Sequence, residues 1–278
     1  MIFRFWGTRG SIPTFNENTQ TFGGNTSCVT VVDNGIMVIL DAGSGIKILA
    51  DSNYIKFYDE FHIFLTHMHF DHIQGLGFFN PFFDPKNKIT IYGPAANSDD
   101  LIKTLTKYLS PPLFPVRIRD FKAELQFVSL PRRNLKVGHL SIDSDFVIHP
   151  GPTLGYRISN QVSSLTYIPD QEIKLGANHI AKSNEWVSGF SLAQNADALI
   201  HDAQYSSEEY LDKIGWGHSS FQQTFDFAKT ANVKRLYFFH HDPMHTDQRL
   251  QELLLPFTVQ ENNLKSYLAT EGESIELD

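Results

Sequence analysis

The chain has 278 residues, 41% of them hydrophobic and 19% charged, enough to build a large core in one domain or two small ones. A formal net charge of −8 argues against a surface that tracks the phosphates of long nucleic acids, which reads as basic. A single cysteine, Cys28, excludes an internal disulfide and a Cys-rich zinc module. It reads as a small buried residue of the strand "TSCVTVV".

The first residues, "MIFRFWGTRGSIP", lack the apolar stretch of a signal peptide, and no apolar run approaches the roughly 18 residues of a membrane span. A soluble, cytoplasmic protein is the expectation.

In chain order, "MIFRFWG" alternates as a strand does and is followed by a long loop rich in Gly, Thr and Asn. "CVTVVDNGIMVILDAG" is a hairpin turning at Asp33-Asn34-Gly35. "GSGIKILADS" predicts a short helix, and "FHIFLTH" is a buried strand. "IQGLGFFNPFF" starts as a helix that Pro81 interrupts. "KITIYGP" is a strand, and "NSDDLIKTLTKYLSPP" is a helix with Asn97 or Ser98 as N-cap and a double proline as its stop. "ELQFVSL", "LKVGHLSIDSDFVIH", "TLGYRIS" and "SSLTYIPD" are four further strands. The alternation then repeats, with "ADALIHDAQ" and "RLYFFHHDP" as strands and "SSFQQTFDFAKTA" and "DQRLQELLLPF" as helices. No linker composition and no solenoid period appears. The pattern predicts one α+β domain over 1–278, a sandwich of two mixed sheets covered by helices.

The densest chemistry lies in "FLTHMHFDHIQG". Divalent metals need imidazoles and carboxylates converging to about 2.0–2.2 Å from the ion. A strand running into a turn presents His67 and His69 on one side, and the following helical turn swings Asp71 and His72 to the other. That is too many ligands for one tetrahedral ion from so short a segment, so two neighbouring ions are expected. The alternative, capping or surface polar groups, does not suit so dense a cluster.

"THMHFDH" resembles the T-H-x-H-x-D-H motif of the metallo-β-lactamase superfamily. "GTRGSIP" and "LDAGSG" resemble loops of its ribonuclease Z and cyclic phosphodiesterase branch. The resemblance implies a four-layer αβ/βα sandwich with metals at one edge. It also implies further ligands: His149 in "VIHPGPTLGYRI", Asp170 in "LTYIPD" as a bridging aspartate, and His240, ahead of His241, in "LYFFHHDP". His67, His69 and His149 would then form one site and Asp71, His72 and His240 the other, with Asp170 between. The donors are all imidazole or carboxylate, which suits two divalent ions, zinc ahead of manganese or iron.

His218 in "GWGHSS" resembles that branch's histidine outside the metal shell, and Asp202 in "LIHDAQ" its acidic partner. A carboxylate beside an imidazole orients it and keeps it protonated, ready to supply the proton that a phosphodiester's leaving oxygen needs. The competing role for His218, capping the next helix, suits Ser219 or Ser220 better. The other histidines (His62, His139, His179, His201 and His245) read as structural, and Arg9 as a solvated loop arginine. "GFFNPFF" reads as core or dimer packing ahead of a base-stacking wall.

Ribonuclease Z proper carries a long arm for transfer RNA between the third histidine and the bridging aspartate; here that interval is only 21 residues. The resemblance therefore implies a metal-bridging hydroxide, placed by Asp71, attacking a small cyclic phosphodiester, first a cyclic nucleotide. The alternatives are a phosphoribosyl cyclic phosphate, RNA 3′ processing, a lactone or thioester, or ligand binding without turnover. Long nucleic acid and membrane are not expected as partners; members of the branch often form homodimers.

Overall fold

The computed structural model describes residues 1–130, 133–173, 187–258 and 263–278. β1 (Ile2–Gly7), β2 (Cys28–Asp33) and β3 (Ile36–Leu40) form an antiparallel start, with Asn34 and Gly35 both at positive φ in the β2–β3 turn, the conformation a tight hairpin demands. α1 (Gly45–Asp51), β4 (Glu60–Phe64), α2 (Phe70–Ile73), β5 (Lys88–Gly93), α3 (Ser98–Tyr108) and β6 (Glu124–Ser129) continue it, with β3 to β6 parallel. Asn97 caps α3, its side chain accepting from the Asp100 amide at 3.0 Å.

The second half begins with β7 (Arg133–Val137), β8 (Leu140–Phe146), β9 (Leu154–Ser159) and β10 (Ser164–Ile168), all antiparallel neighbours. α4 (Phe190–Ala193), β11 (Ala198–Asp202), α5 (Ser207–Leu211), α6 (Phe221–Thr230), β12 (Arg235–Phe239), α7 (Asp247–Leu254), β13 (Lys265–Leu268) and β14 (Ser274–Glu276) follow. β10 to β13 are parallel. The segment "LKVGHLSIDSDFVIH" is thus two strands rather than one, folded back at Gly138, where φ is +56°.

Among the described residues the strands form two seven-stranded mixed sheets, ordered β14-β1-β2-β3-β4-β5-β6 and β13-β12-β11-β10-β9-β8-β7. Strand periodicity explains the layering. In β3, Met37 and Ile39 face the core under α1 and α3, while Val38 and Leu40 face the core between the sheets. A third core packs α4, α6 and α7 on the outer face of the second sheet. This is the expected αβ/βα sandwich.

"GFFNPFF" divides by face: Phe79 and Phe82 are wholly buried, whereas Phe78 and Phe83 are exposed. Arg9 departs from expectation. It is fully buried, its guanidinium donating to the carbonyls of Gly23, Asp242 and His245. His179 lies outside the described residues.

Phe64 is fully buried between the sheets, stacked on Tyr92 at 4.1 Å and edge-on to Tyr156 at 5.5 Å. Phe64→Ala should lower the unfolding free energy by about 3–5 kcal/mol in chemical denaturation, as large-to-small changes in tight cores do. A loss below about 1 kcal/mol would mean that the two sheets do not share a tight core at this point.

Candidate metal centre

The carboxyl ends of β3 and β4 in one sheet, and of β10, β11 and β12 in the other, meet at one edge of the sandwich, where open α/β sheets place their ligands. His67 and His69 leave the turn after β4, and Asp71 and His72 sit in α2. His149 follows β8, Asp170 follows β10, and His240 follows β12.

These seven residues converge. Candidate ligand atoms of His67, His69, His149 and Asp170 lie within 4.8 Å of one another, as do those of Asp71, His72 and His240. Asp170 stands between the groups with one oxygen toward each. Its Oδ2 is 3.6 Å from Nε2 of both His67 and His149, and its Oδ1 is 3.1 Å from His72 Nε2 and 3.4 Å from His240 Nε2. Asp71 Oδ2 lies 3.2 Å from His240 Nε2 and accepts from the Ser11 amide at 2.8 Å.

The far nitrogen of each buried ring is already engaged. His72 Nδ1 donates to Asp41 at 2.8 Å, and His149 Nδ1 to the Gly217 carbonyl at 2.7 Å. His240 Nδ1 donates to Gln204 Oε1 at 2.9 Å. The Thr66 hydroxyl gives its proton to Asp41, so its lone pair receives His67 Nδ1–H at 3.0 Å. In each neutral ring Nε2 is thereby left as a lone pair facing the centre; at His72, where burial opposes charge but Asp170, Asp71 and Asp41 raise the pKa well above its ordinary value, a bound cation would have to displace the Nε2 proton.

That inward set fits a cation. Nε2 of His67 and His72 and Oδ1 of Asp170 are buried with no hydrogen-bond partner among the described residues, a costly arrangement for acceptors unless a metal completes it. Burial and then neighbouring imidazoles push the pKa of His67 well down, and burial chiefly lowers those of His69 and His149, so these three stay neutral as ligands must. Burial opposes ionisation of Asp170, but His240, His72 and His67 outweigh it and hold the carboxyl well below the usual range. Asp71 is likewise held low, against burial, by His72 and His240.

His241 turns away. Its Nε2 donates to the Ala269 carbonyl at 2.8 Å, and burial, then Arg9, pushes its pKa down to about 3. The resemblance puts His240 ahead of His241, and the backbone separates the two, because His240 takes a left-handed φ of +61° that swings its ring inward. Gly10 makes room for that ring, since a Cβ there would lie 2.3 Å from His240 Nδ1.

His218 closes one wall. Its Nδ1 donates to Asp202 Oδ2 at 2.8 Å, and its ring stacks on His240 at 4.9 Å. Burial works against its charge, but Asp202 prevails and raises the pKa to about 9. Asp202 also accepts the amides of Gln171 and Gln204, so its position is fixed from both sides. Ser220, not His218, caps α6.

Sequence reasoning passed over Asp41. It is fully buried at the end of β3, bonded to His72, to Thr66 and to the Tyr167 hydroxyl at 3.0 Å. The signal was a lone acidic residue after four apolar ones in "MVILDAG". Gln204 was passed over too, in a loop with no distinguishing spacing.

Residues 57–241 match the model of the Beta-lactamase superfamily domain. A ribonuclease Z of Thermoplasma acidophilum is 27% identical, with 87% of each chain covered. Among solved structures, the metallo-β-lactamase fold protein YhfI from Bacillus subtilis superposes with a TM-score of 0.74 at 19% identity, over 99% of this chain and 98% of that one. The short form of human tRNase Z gives a TM-score of 0.67 at 19% identity over the whole of both chains.

Asp41→Asn keeps the shape but weakens the acceptor that orients His72, and should lower divalent-ion affinity about 10- to 100-fold in a chelator competition. His241→Gln should leave that affinity unchanged. Equal losses in the two variants would show that the outward bonds do not orient the cluster.

Proposed function

Because this chain belongs to the metallo-β-lactamase superfamily, in its ribonuclease Z-like branch, we propose that it is a metal-dependent phosphodiesterase acting as one domain over 1–278 in the cytoplasm. His67, His69 and His149 would hold one divalent ion and Asp71, His72 and His240 a second, with Asp170 shared; zinc suits this donor set best, ahead of manganese and iron. Bound there, the two ions supply Lewis acidity at the phosphoryl oxygens and a water acidic enough to attack near neutral pH.

The observation that carries the reading is the His218–Asp202 pair beside that cluster. With Nδ1–H committed to Asp202, Nε2 is the atom of His218 left to give a proton to a leaving oxygen. Phosphodiester cleavage expels an alkoxide, a poor leaving group that needs such a donor. Asp71, fixed by the Ser11 amide, orients the attacking water.

A small cyclic phosphodiester, first a cyclic nucleotide, is the substrate we favour. The interval where a transfer-RNA arm would stand is filled by β9, β10 and a tight turn in which Asn160 accepts the amides of Val162 and Ser163. The acidic charge of −8 points the same way. A second reading, RNA 3′ processing, is favoured by the relative that is a ribonuclease Z.

His218→Ala should retain its metal by mass spectrometry and lose about 10²-fold or more in turnover of a phosphodiester. Full activity in that variant would remove the acid from the mechanism. Wild-type protein offered 3′,5′-cyclic nucleotides, a phosphoribosyl cyclic phosphate, precursor tRNA, a lactone and a thioester should cleave the cyclic nucleotides fastest. Preference for precursor tRNA would replace the substrate with RNA, and preference for the lactone or thioester would overturn the phosphodiester reading.

A further inference from the structure

Two residues beyond Asp170, Glu172 is wholly buried, and its carboxylate meets no lysine or arginine among the described residues. A buried carboxylate so placed must be satisfied by neutral donors or remain costly. Four hydrogen bonds do so. Oε1 accepts from the Tyr210 hydroxyl at 2.8 Å and the Gly215 amide at 2.9 Å. Oε2 accepts from the amides of Gly215 and Gly217, each at 3.0 Å.

The carboxylate therefore clasps the turn Gly215-Trp216-Gly217, and that turn carries two parts of the centre. The Gly217 carbonyl receives His149 Nδ1–H at 2.7 Å, and the next residue is His218. Gly217 sits at φ +92°, and a Cβ on it would lie 2.5 Å from His149 Nδ1, so the backbone is pressed against the imidazole it orients. The main chain of Glu172 reaches the same region, its amide donating to the Ile148 carbonyl at 2.8 Å.

From this we infer that Glu172 is a positioning residue: through the 215–217 turn it sets the orientation of His149 and the reach of the proton donor His218. It touches no reacting atom. Its influence passes through the backbone, by which one carboxylate aligns a ring proposed for the first ion and the group proposed to protonate the leaving oxygen. The inference rests on the phosphodiesterase reading for its kinetic consequence and on geometry alone for its structural one.

Glu172→Gln puts an NH₂ group against amide donors and cannot satisfy the turn. The test uses the metal-loaded protein and a series of diaryl phosphates from bis-p-nitrophenyl to diphenyl phosphate, whose leaving groups need progressively more protonation. Glu172→Gln should lose about tenfold more kcat on diphenyl phosphate than on bis-p-nitrophenyl phosphate, and His218→Ala should show the same slope more strongly. A merely structural defect would lower both substrates alike. An even loss in Glu172→Gln beside a steepened series in His218→Ala overturns the inference and spares the phosphodiesterase reading.

If wild-type protein with two ions cleaves no member of the series, the phosphodiesterase reading fails, and a structural readout still decides on Glu172. Nitrogen-15 spectra of the metal-free protein should contain the hydrogen-bonded Nδ1–H signals of His149 and His218. Glu172→Gln should shift or broaden both; unchanged signals overturn the inference. Should Glu172→Gln fail to fold, Tyr210→Phe, which removes one donor from the same carboxylate, should steepen the series by about threefold. A flat response there overturns the inference as well.

Discussion

A carboxylate taken out of water with imidazoles on both its oxygens is the constraint round which the centre is built. Asp170 is 1% exposed, and four ring nitrogens lie between 3.1 and 3.6 Å from its two oxygens. Burying such a group costs several kcal/mol unless positive charge is close. His67 and His149 are held neutral by burial, whereas Asp170, Asp71 and Asp41 raise the pKa of His72 well above its ordinary value against burial, so in the metal-free cluster the positive charge beside Asp170 sits on that side alone. Cations held between carboxylate and imidazoles would supply it on both sides, and each Nε2 would then be a lone pair. That requirement propagates outward. Every far nitrogen needs its own partner, and Thr66, Asp41, Gly217 and Gln204 are those partners.

The outward partners tie the centre to the sandwich. Tyr167 in β10 donates to Asp41 at the end of β3, and Tyr156 in β9 donates to the Leu65 carbonyl just after β4. Both bonds cross from the second sheet to the first, and both rings lie in the core between the sheets. The two proposed ion sites draw ligands from both sheets, so the packing of this apolar layer governs the spacing of the ligands. Protein interiors are as dense as organic crystals and yield little, which lets apolar packing hold polar groups to fractions of an ångström.

What was legible in the chain followed from local pattern. "THMHFDH" announced itself because its donors are contiguous, and the strands and principal helices because apolar periodicity is local too. His149, Asp170, His240, His218 and Asp202 were within reach because each sits beside a motif with a family likeness. Asp41 and Gln204 stand inside the family-like "LDAGSG" and "LIHDAQ", yet their roles, like that of Glu172, come from partners far along the chain that no local pattern names. Glu172 acts on Gly215 and Gly217, and nothing in "PDQEIK" points to them. β13 and β14 were missed for a related reason: both are edge strands of only four and three residues, ordered by the neighbour they pair with and not by their own pattern.

Arg9 shows why residue type is a weak guide beside such a centre. An arginine in a glycine-rich loop beside the proposed site invites the role of phosphate clamp, yet its guanidinium is buried, with Nε and Nη1 donating to the carbonyls of Gly23, Asp242 and His245 and Nη2 lying 3.7 Å from Asp247. It thereby ties the loop before β2 to the loop after β12. The same stretch of chain delivers the Ser11 amide to Asp71 and lays Gly10 against His240. Arg9 holds the wall of the site in place and cannot also reach into it. On the phosphodiesterase proposal, the positive charge that the transition state needs would come from bound ions and from His218, which Asp202 orients through its hydrogen bond to Nδ1.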